Sequence, residues 1–298
     1  MSVEFTFVPS ALPDAASGRP GFFLDPAFTA TLSRIEAAGF DTVVVDDPAG
    51  ALINFDLAAA VAAATSTLRI ALTHWAGDVS PPIAARQLAT LDARADGRLA
   101  LRMLADCAID HRAAELTGSS HAASWRRTDE YVTLLKRLWS NDAPFDHEGP
   151  FYSIRGGFVG DSQRPLALRM AGMSGTALQV AGRHADIFEL DALTPEEAAA
   201  LIVRVRAAAE PYGRAHRIRF ALPVRLSRSA RRKPFDAVEA SVVALLSFIE
   251  AGVSEVMVAE TADIGAVERF GREIMPLLRN SARHLQARAA MHGCALRG

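Results

Sequence analysis

Of the 32 basic residues in this 298-residue chain only Lys136 and Lys233 are lysines, and 34 acidic residues leave a net charge of -2. A balance so near zero lacks the positive field that nucleic acid or an anionic membrane would select. Cysteine is as scarce. Cys107 and Cys294 are the only two, which excludes a disulfide framework, and their spacing is not that of a zinc site. The longest apolar run near the start, 57–64, falls far short of a membrane span. Residues 1–10 carry no basic segment followed by an apolar one, so a cytoplasmic protein is expected. A Walker loop, a Ser-His-Asp order and a histidine pair at metal spacing are all absent, and no metal is expected.

Half the residues are apolar, enough for one large core. They are distributed as one repeated unit. Short apolar runs at 3–8, 42–45, 68–73, 99–104, 166–171, 185–190, 218–226 and 255–259 read as strands. Between and after them, residues 26–38, 55–64, 83–93, 123–139, 176–183, 195–209, 235–250 and 264–278 repeat their apolar positions at helical spacing. Eight strands alternating with eight helices predict a single (β/α)8 TIM barrel over residues 1–278. Residues 141–164, with Phe151, Tyr152 and Ile154 between glycines, predict a small hairpin after the fourth helix. Residues 279–298 hold four arginines and no acid, and are expected to form a flexible solvated tail.

In a barrel of this kind chemistry belongs at the C-terminal ends of the strands. Those ends carry Asp46 and Asp47, then His74 and Trp75, then Asp106 and Cys107, then Gly172 to Gly175, and finally Arg225. Asp46 and Asp47 point to opposite sides, so one of them is a turn former. His74 is the best candidate for handling a proton, against the plainer reading that a histidine beside a tryptophan is packing. Cys107 has no basic neighbour in sequence to activate it. Arg228, Arg231, Arg232 and Lys233 read either as an anion lure or as a solvated loop.

The turn Ala171-Gly172-Met173-Ser174-Gly175 is the most informative stretch. Ser174 stands at a helix N-cap after a strand, with glycines on either side, so amide N–H groups and a hydroxyl are available to an anion such as phosphate. The plainer reading is that Gly172 ends a strand and Ser174 only caps a helix.

Residues 80–87, SPPIAARQ, with Ala89-Thr90-Leu91-Asp92 and Asp96-Gly97-Arg98-Leu99, resemble the bacterial luciferase-like flavin monooxygenases, most closely their alkanesulfonate monooxygenase branch. The Gly172 to Gly175 turn with His184-Ala185-Asp186, and the passage from Glu130-Tyr131 through Glu148-Gly149 to Arg155-Gly156-Gly157, carry the same resemblance. It extends from about Phe5 to Leu278. The resemblance implies a two-component enzyme: a separate NAD(P)H:flavin reductase supplies reduced FMN, and the barrel uses it with molecular oxygen on a small organic substrate. It implies a homo-oligomer, dimer or tetramer. It also carries the phosphate contact to Ser174 and Gly175.

The site so expected has His74, His121 and Arg225 in catalytic roles. Gly172, Met173, Ser174, Gly175, Trp125, Ala105 and Asp106 would surround the cofactor, and Asp46, Trp75 and Cys107 would line the substrate pocket. The chain departs from the family pattern at several of these points. The family's His-x-x-Arg-Tyr appears as His121, Ser124 and Trp125, its Thr-Gly pair as Ala105-Asp106, and the sulfonate branch's arginine and histidine as Ala221 and Pro223. A substrate other than a sulfonate is therefore expected. Two alternatives share the same barrel: a flavin-binding or partner subunit without turnover, and a deazaflavin-dependent oxidoreductase.

Overall fold

The computed structural model of the protein describes residues 3–10, 21–47, 51–104, 121–160, 164–225, 238–259 and 264–295. Eight strands close into a parallel barrel: β1 (Glu4–Val8), β2 (Thr42–Val45), β3 (Arg69–His74), β4 (Leu99–Met103), β7 (Ala167–Ala171), β8 (Ile187–Glu189), β9 (Arg219–Arg225) and β10 (Glu255–Ala259). β5 (Phe145–Glu148) and β6 (Ser153–Gly157) form the separate antiparallel hairpin that the glycine-bracketed aromatics predict. The helices are α1 (Phe28–Ala37), α2 (Ala51–Ala64), α3 (Pro81–Arg94), α4 (His121–Ser140), α5 (Gly175–His184), α6 (Pro195–Ala209), α7 (Val238–Glu250), α8 (Ile264–Arg269) and α9 (Met275–Ala295). None among the described residues is long and apolar enough to cross a membrane.

Alternation along each strand divides the interior in two. Phe5, Phe7, Val43, Val45, Ile70, Leu72, Leu168, Met170 and Phe220 face outward and pack under the helices in one large core. Val44, Ala71, Ile187, Ala221 and Met257 face inward as a much smaller apolar layer. The rest of the lumen is ionic. Arg169 on β7 reaches Glu255 on β10 at 2.8 Å and Glu189 on β8 at 3.2 Å. Arg102 on β4 grips the same Glu189 at 2.9 Å and Asp46, just past β2, at 2.8 Å. Burial pushes the Glu189 carboxyl up, but the two guanidiniums more than offset it and hold the group below its ordinary range. The Thr6 hydroxyl donates to Glu255 at the far end of this ladder.

Pro223 lies inside β9 without breaking the barrel. β8 is only three residues long and its pairing with β9 stops at Ala221, so a missing N–H two residues further on costs no bond to it.

The expected tail is corrected by the structure. Beyond Arg269 the chain widens into a π-helical turn, Phe270–Ile274, and continues as α9 as far as Ala295. Leu278 and Ala282 are fully buried, and Arg279 donates to the Gly39 carbonyl and to Asp41 at 2.9 Å each. The arginines that look solvated in sequence begin, at Arg279, by docking the helix to the loop before β2.

Candidate functional site

At the C-terminal rim β7 turns sharply into α5. Gly172 takes φ +134°, a conformation that side chains disfavour, and a Cβ there would stand 2.8 Å from both Trp125 Cζ2 and Ala177 Cβ. Ser174 is extended and its Oγ accepts from the Ala177 N–H at 3.1 Å, so it is the N-cap of α5 as its position predicts. That bond uses an oxygen lone pair and leaves the hydroxyl hydrogen to donate. Among the described residues, nothing stands within 4 Å of where a Cβ on Gly175 would be. The first-turn amides of α5 lie beside that space, with the positive end of the helix dipole behind them. This corner is suited to an anion.

Trp125, buried on α4, forms the wall against this turn. One turn further along α4, Asp129 receives His184 Nε2 at 2.8 Å and Arg183 at 2.9 Å from the end of α5. Burial pushes the Asp129 carboxyl up, and those two partners more than offset it. Strapping α4 to α5 in this way sets the distance between the indole and the turn.

Asp46 and Arg225 share the lumen side of the same rim. Asp46, held by Arg102, keeps 36% of its side chain exposed, while Arg102 beneath it keeps 14%. Arg225 ends β9 in an exposed position, in the same alternation as the lumen residue Ala221. Arg102 and Glu189, absent from the expected site, make its floor. Their signal in sequence is a charge at an inward position of a short apolar strand, in LALRM and in IFE.

His74 also ends a strand but points the other way. It is fully buried on the outward face, 6.0 Å from the Phe55 ring on α2, with Nε2 2.7 Å from the Tyr131 hydroxyl on α4. That hydroxyl donates to the Val79 carbonyl at 3.0 Å, so Nε2–H is the donor to it and Nδ1 is the bare nitrogen, without a hydrogen-bond partner among the described residues. Burial lowers its pKa to about 4, so the ring is neutral. Trp75 is buried next to it, its Nε1 likewise without a partner among the described residues. His74 is thus set apart from Asp46 and Arg225, which face the lumen, by the thickness of the sheet. His121 is the first residue of α4, and only its backbone is described. Ala105, Asp106 and Cys107, and the run Arg228 to Lys233, lie outside the described residues.

Residues 23–293 match the family model for the luciferase-like monooxygenase. The chain is 28% identical over 219 residues to the FMNH(2)-dependent dimethylsulfone monooxygenase of Pseudomonas putida; the match takes in 72% of this chain and 55% of that protein, so it spans about half the relative's length. Among solved structures, a long-chain alkane monooxygenase superposes with a TM-score of 0.77 at 15% identity, covering 94% of this chain and 92% of the other. An F420-dependent secondary alcohol dehydrogenase superposes with a TM-score of 0.72 at 17% identity, covering 93% and 99%. These likenesses are to the fold. With nearly its whole length matched by the family model, the chain belongs to the luciferase-like monooxygenase family.

Proposed function

We propose that this barrel is a monooxygenase that receives reduced FMN from a separate flavin reductase and uses it with molecular oxygen on a small organic substrate at the C-terminal mouth. The observation that carries this reading is the open, serine-capped turn before α5, at the rim where this fold places its chemistry. The Ser174 hydroxyl and the first-turn amides of α5 are the groups that would hold the cofactor's phosphate. The flavin itself supplies the electrons for oxygen activation. What falls to the protein is positioning and shielding: Trp125 walls the turn, and Arg102, itself held by Glu189, keeps Asp46 fixed at the mouth. Family membership and the named activity of the Pseudomonas relative support the FMN assignment.

A deazaflavin reading fits the same barrel, since an F420-dependent secondary alcohol dehydrogenase is among the structures that share this fold. Titration with FMN and F420, each oxidised and reduced, followed by oxygen uptake with a reductase present, tests both. Tight FMN binding and substrate-dependent oxygen uptake are expected. Ser174→Ala should weaken FMN binding by about 1 kcal/mol or more. A protein with no affinity for either cofactor in either redox state would end both readings.

A further inference from the structure

Lys136 is one of only two lysines in the chain, and it stands away from the site at the mouth. It lies half-buried near the C-terminal end of α4, where α5 ends, β8 is about to begin and the chain from α6 approaches β9. These are the N-terminal ends of the strands, the face of the barrel opposite the mouth. Its Nζ donates to the His184 carbonyl at 3.2 Å, among the carbonyls that α5 leaves unpaired at its end. Among the described residues no carboxylate forms an ion pair with it.

Its surroundings are cationic. On α4 itself the positions three and four residues away are Val132, Thr133, Trp139 and Ser140, none of them charged. Arg183 and His184 neighbour it from the end of α5, Asp186 from just before β8 and Arg214 from the chain before β9. The carboxylates of the cluster are already held: Asp129 by Arg183 and His184, and Asp186 by Arg214 at 2.8 Å and the Leu168 N–H at 2.9 Å. Burial keeps the His184 ring neutral. Lys136, Arg183 and Arg214 against Asp129 and Asp186 therefore leave one positive charge over. Burial and then the Arg214 charge lower the Lys136 ammonium to about 8, against the opposing effect of Asp186. Arg214 Nε is buried with no partner, a donor that no group of the protein uses. An excess cation and a spare buried donor together suit a small anion, and the lysine among them gives up its proton easily.

We propose that Lys136 is an acylation site, modified directly by small acyl phosphates that this cluster draws in. Arg214 and Arg183 meet the phosphate end of the donor. The Lys136 ammonium releases one proton to solvent, and the free amine attacks the acyl carbon. A C–N bond forms as the acyl C–O bond to phosphate breaks; the phosphate leaves with that electron pair and takes up the second amine proton. The product amide keeps an N–H for the His184 carbonyl, and loss of the ammonium charge brings the cluster to neutrality. This site stands whether or not the barrel binds a flavin.

The test treats the whole wild-type chain with acetyl phosphate and, separately, with uncharged N-hydroxysuccinimidyl acetate. Acetylation of Lys136 is followed by peptide mass spectrometry, where Lys233 is the only other lysine. With the ester, the rate at Lys136 should level off above about pH 8, whereas that of Nα-acetyllysine keeps rising to about pH 10. Inorganic phosphate should slow acetyl phosphate by at least about threefold and leave the ester unchanged. Arg214→Gln, checked for folding by circular dichroism, should lose about tenfold with acetyl phosphate and less with the ester. The proposal is overturned by an unmodified Lys136, by a rate that follows Nα-acetyllysine up to about pH 10, or by phosphate that slows both donors alike or neither. A folded Arg214→Gln with the wild-type rate overturns it too; were that variant not to fold, the two wild-type measurements decide.

Discussion

The histidine and the serine at two strand ends show how far a single residue can be read alone. Ser174 is legible because capping is local: an N-cap needs only the helix that follows it, and that helix is written in the next ten residues. His74 is not, because its partner Tyr131 lies 57 positions away and nothing in the run RIALTH says which face meets it. Its burial has a consequence for stability. With the folded pKa lowered to about 4 from 6.5, the unfolded chain binds the proton more tightly. The neutral ring's contribution is therefore complete above the unfolded value and is lost as pH falls toward the folded one. Urea unfolding at about pH 7 and about pH 4.5 should show wild type losing roughly 2 to 3 kcal/mol more than His74→Asn over that interval. Equal losses would mean that the imidazole takes up its proton in the native state at the same pH as in the unfolded chain.

At the level of elements, β7, its turn and α5 behave as one unit whose shape depends on a glycine. A methyl group at Gly172 meets a left-handed backbone and two close contacts together. Gly172→Ala should cost on the order of 2 kcal/mol in thermal or urea unfolding, and weaken flavin binding further by tilting the amides away. A variant as stable as wild type would show that the turn can relax. The hairpin β5–β6 was legible for a related reason, since glycines and aromatics alternate within one short segment. The last helix was not. Its arginines read as solvated until Arg279 is seen against Gly39 and Asp41, some 240 positions earlier. The π turn before it has a similar origin: Gly271 lets the chain pass so near the end of α1 that a Cβ would stand 2.7 Å from the Ala38 carbonyl, and Pro276 has no N–H to continue a regular ladder.

For the whole molecule the deciding feature is the ionic ladder through the lumen. Barrel interiors are commonly filled by branched apolar side chains; here the cross-lumen contacts run from Asp46 through Arg102, Glu189 and Arg169 to Glu255. Glu189 is shared by both arginines, so Glu189→Gln leaves two buried guanidiniums short of one charge. A loss of about 3 to 5 kcal/mol in urea unfolding is expected, with poorer placement of Asp46 at the mouth. A change under about 1 kcal/mol would mean that water or a neighbouring carboxylate takes over. The sequence by itself determined the eightfold repeat of strand and helix, the hairpin and the capped turn, because each follows from periodicity and turn chemistry within a few consecutive residues. Only closure of the barrel decided that Arg102 and Glu189 form the site's floor, that His74 lies behind the sheet, and that Lys136 reaches the His184 carbonyl beside Arg214. Each of those outcomes depends on which face of a strand or helix meets a partner far along the chain, and side-chain direction across that distance is fixed by packing.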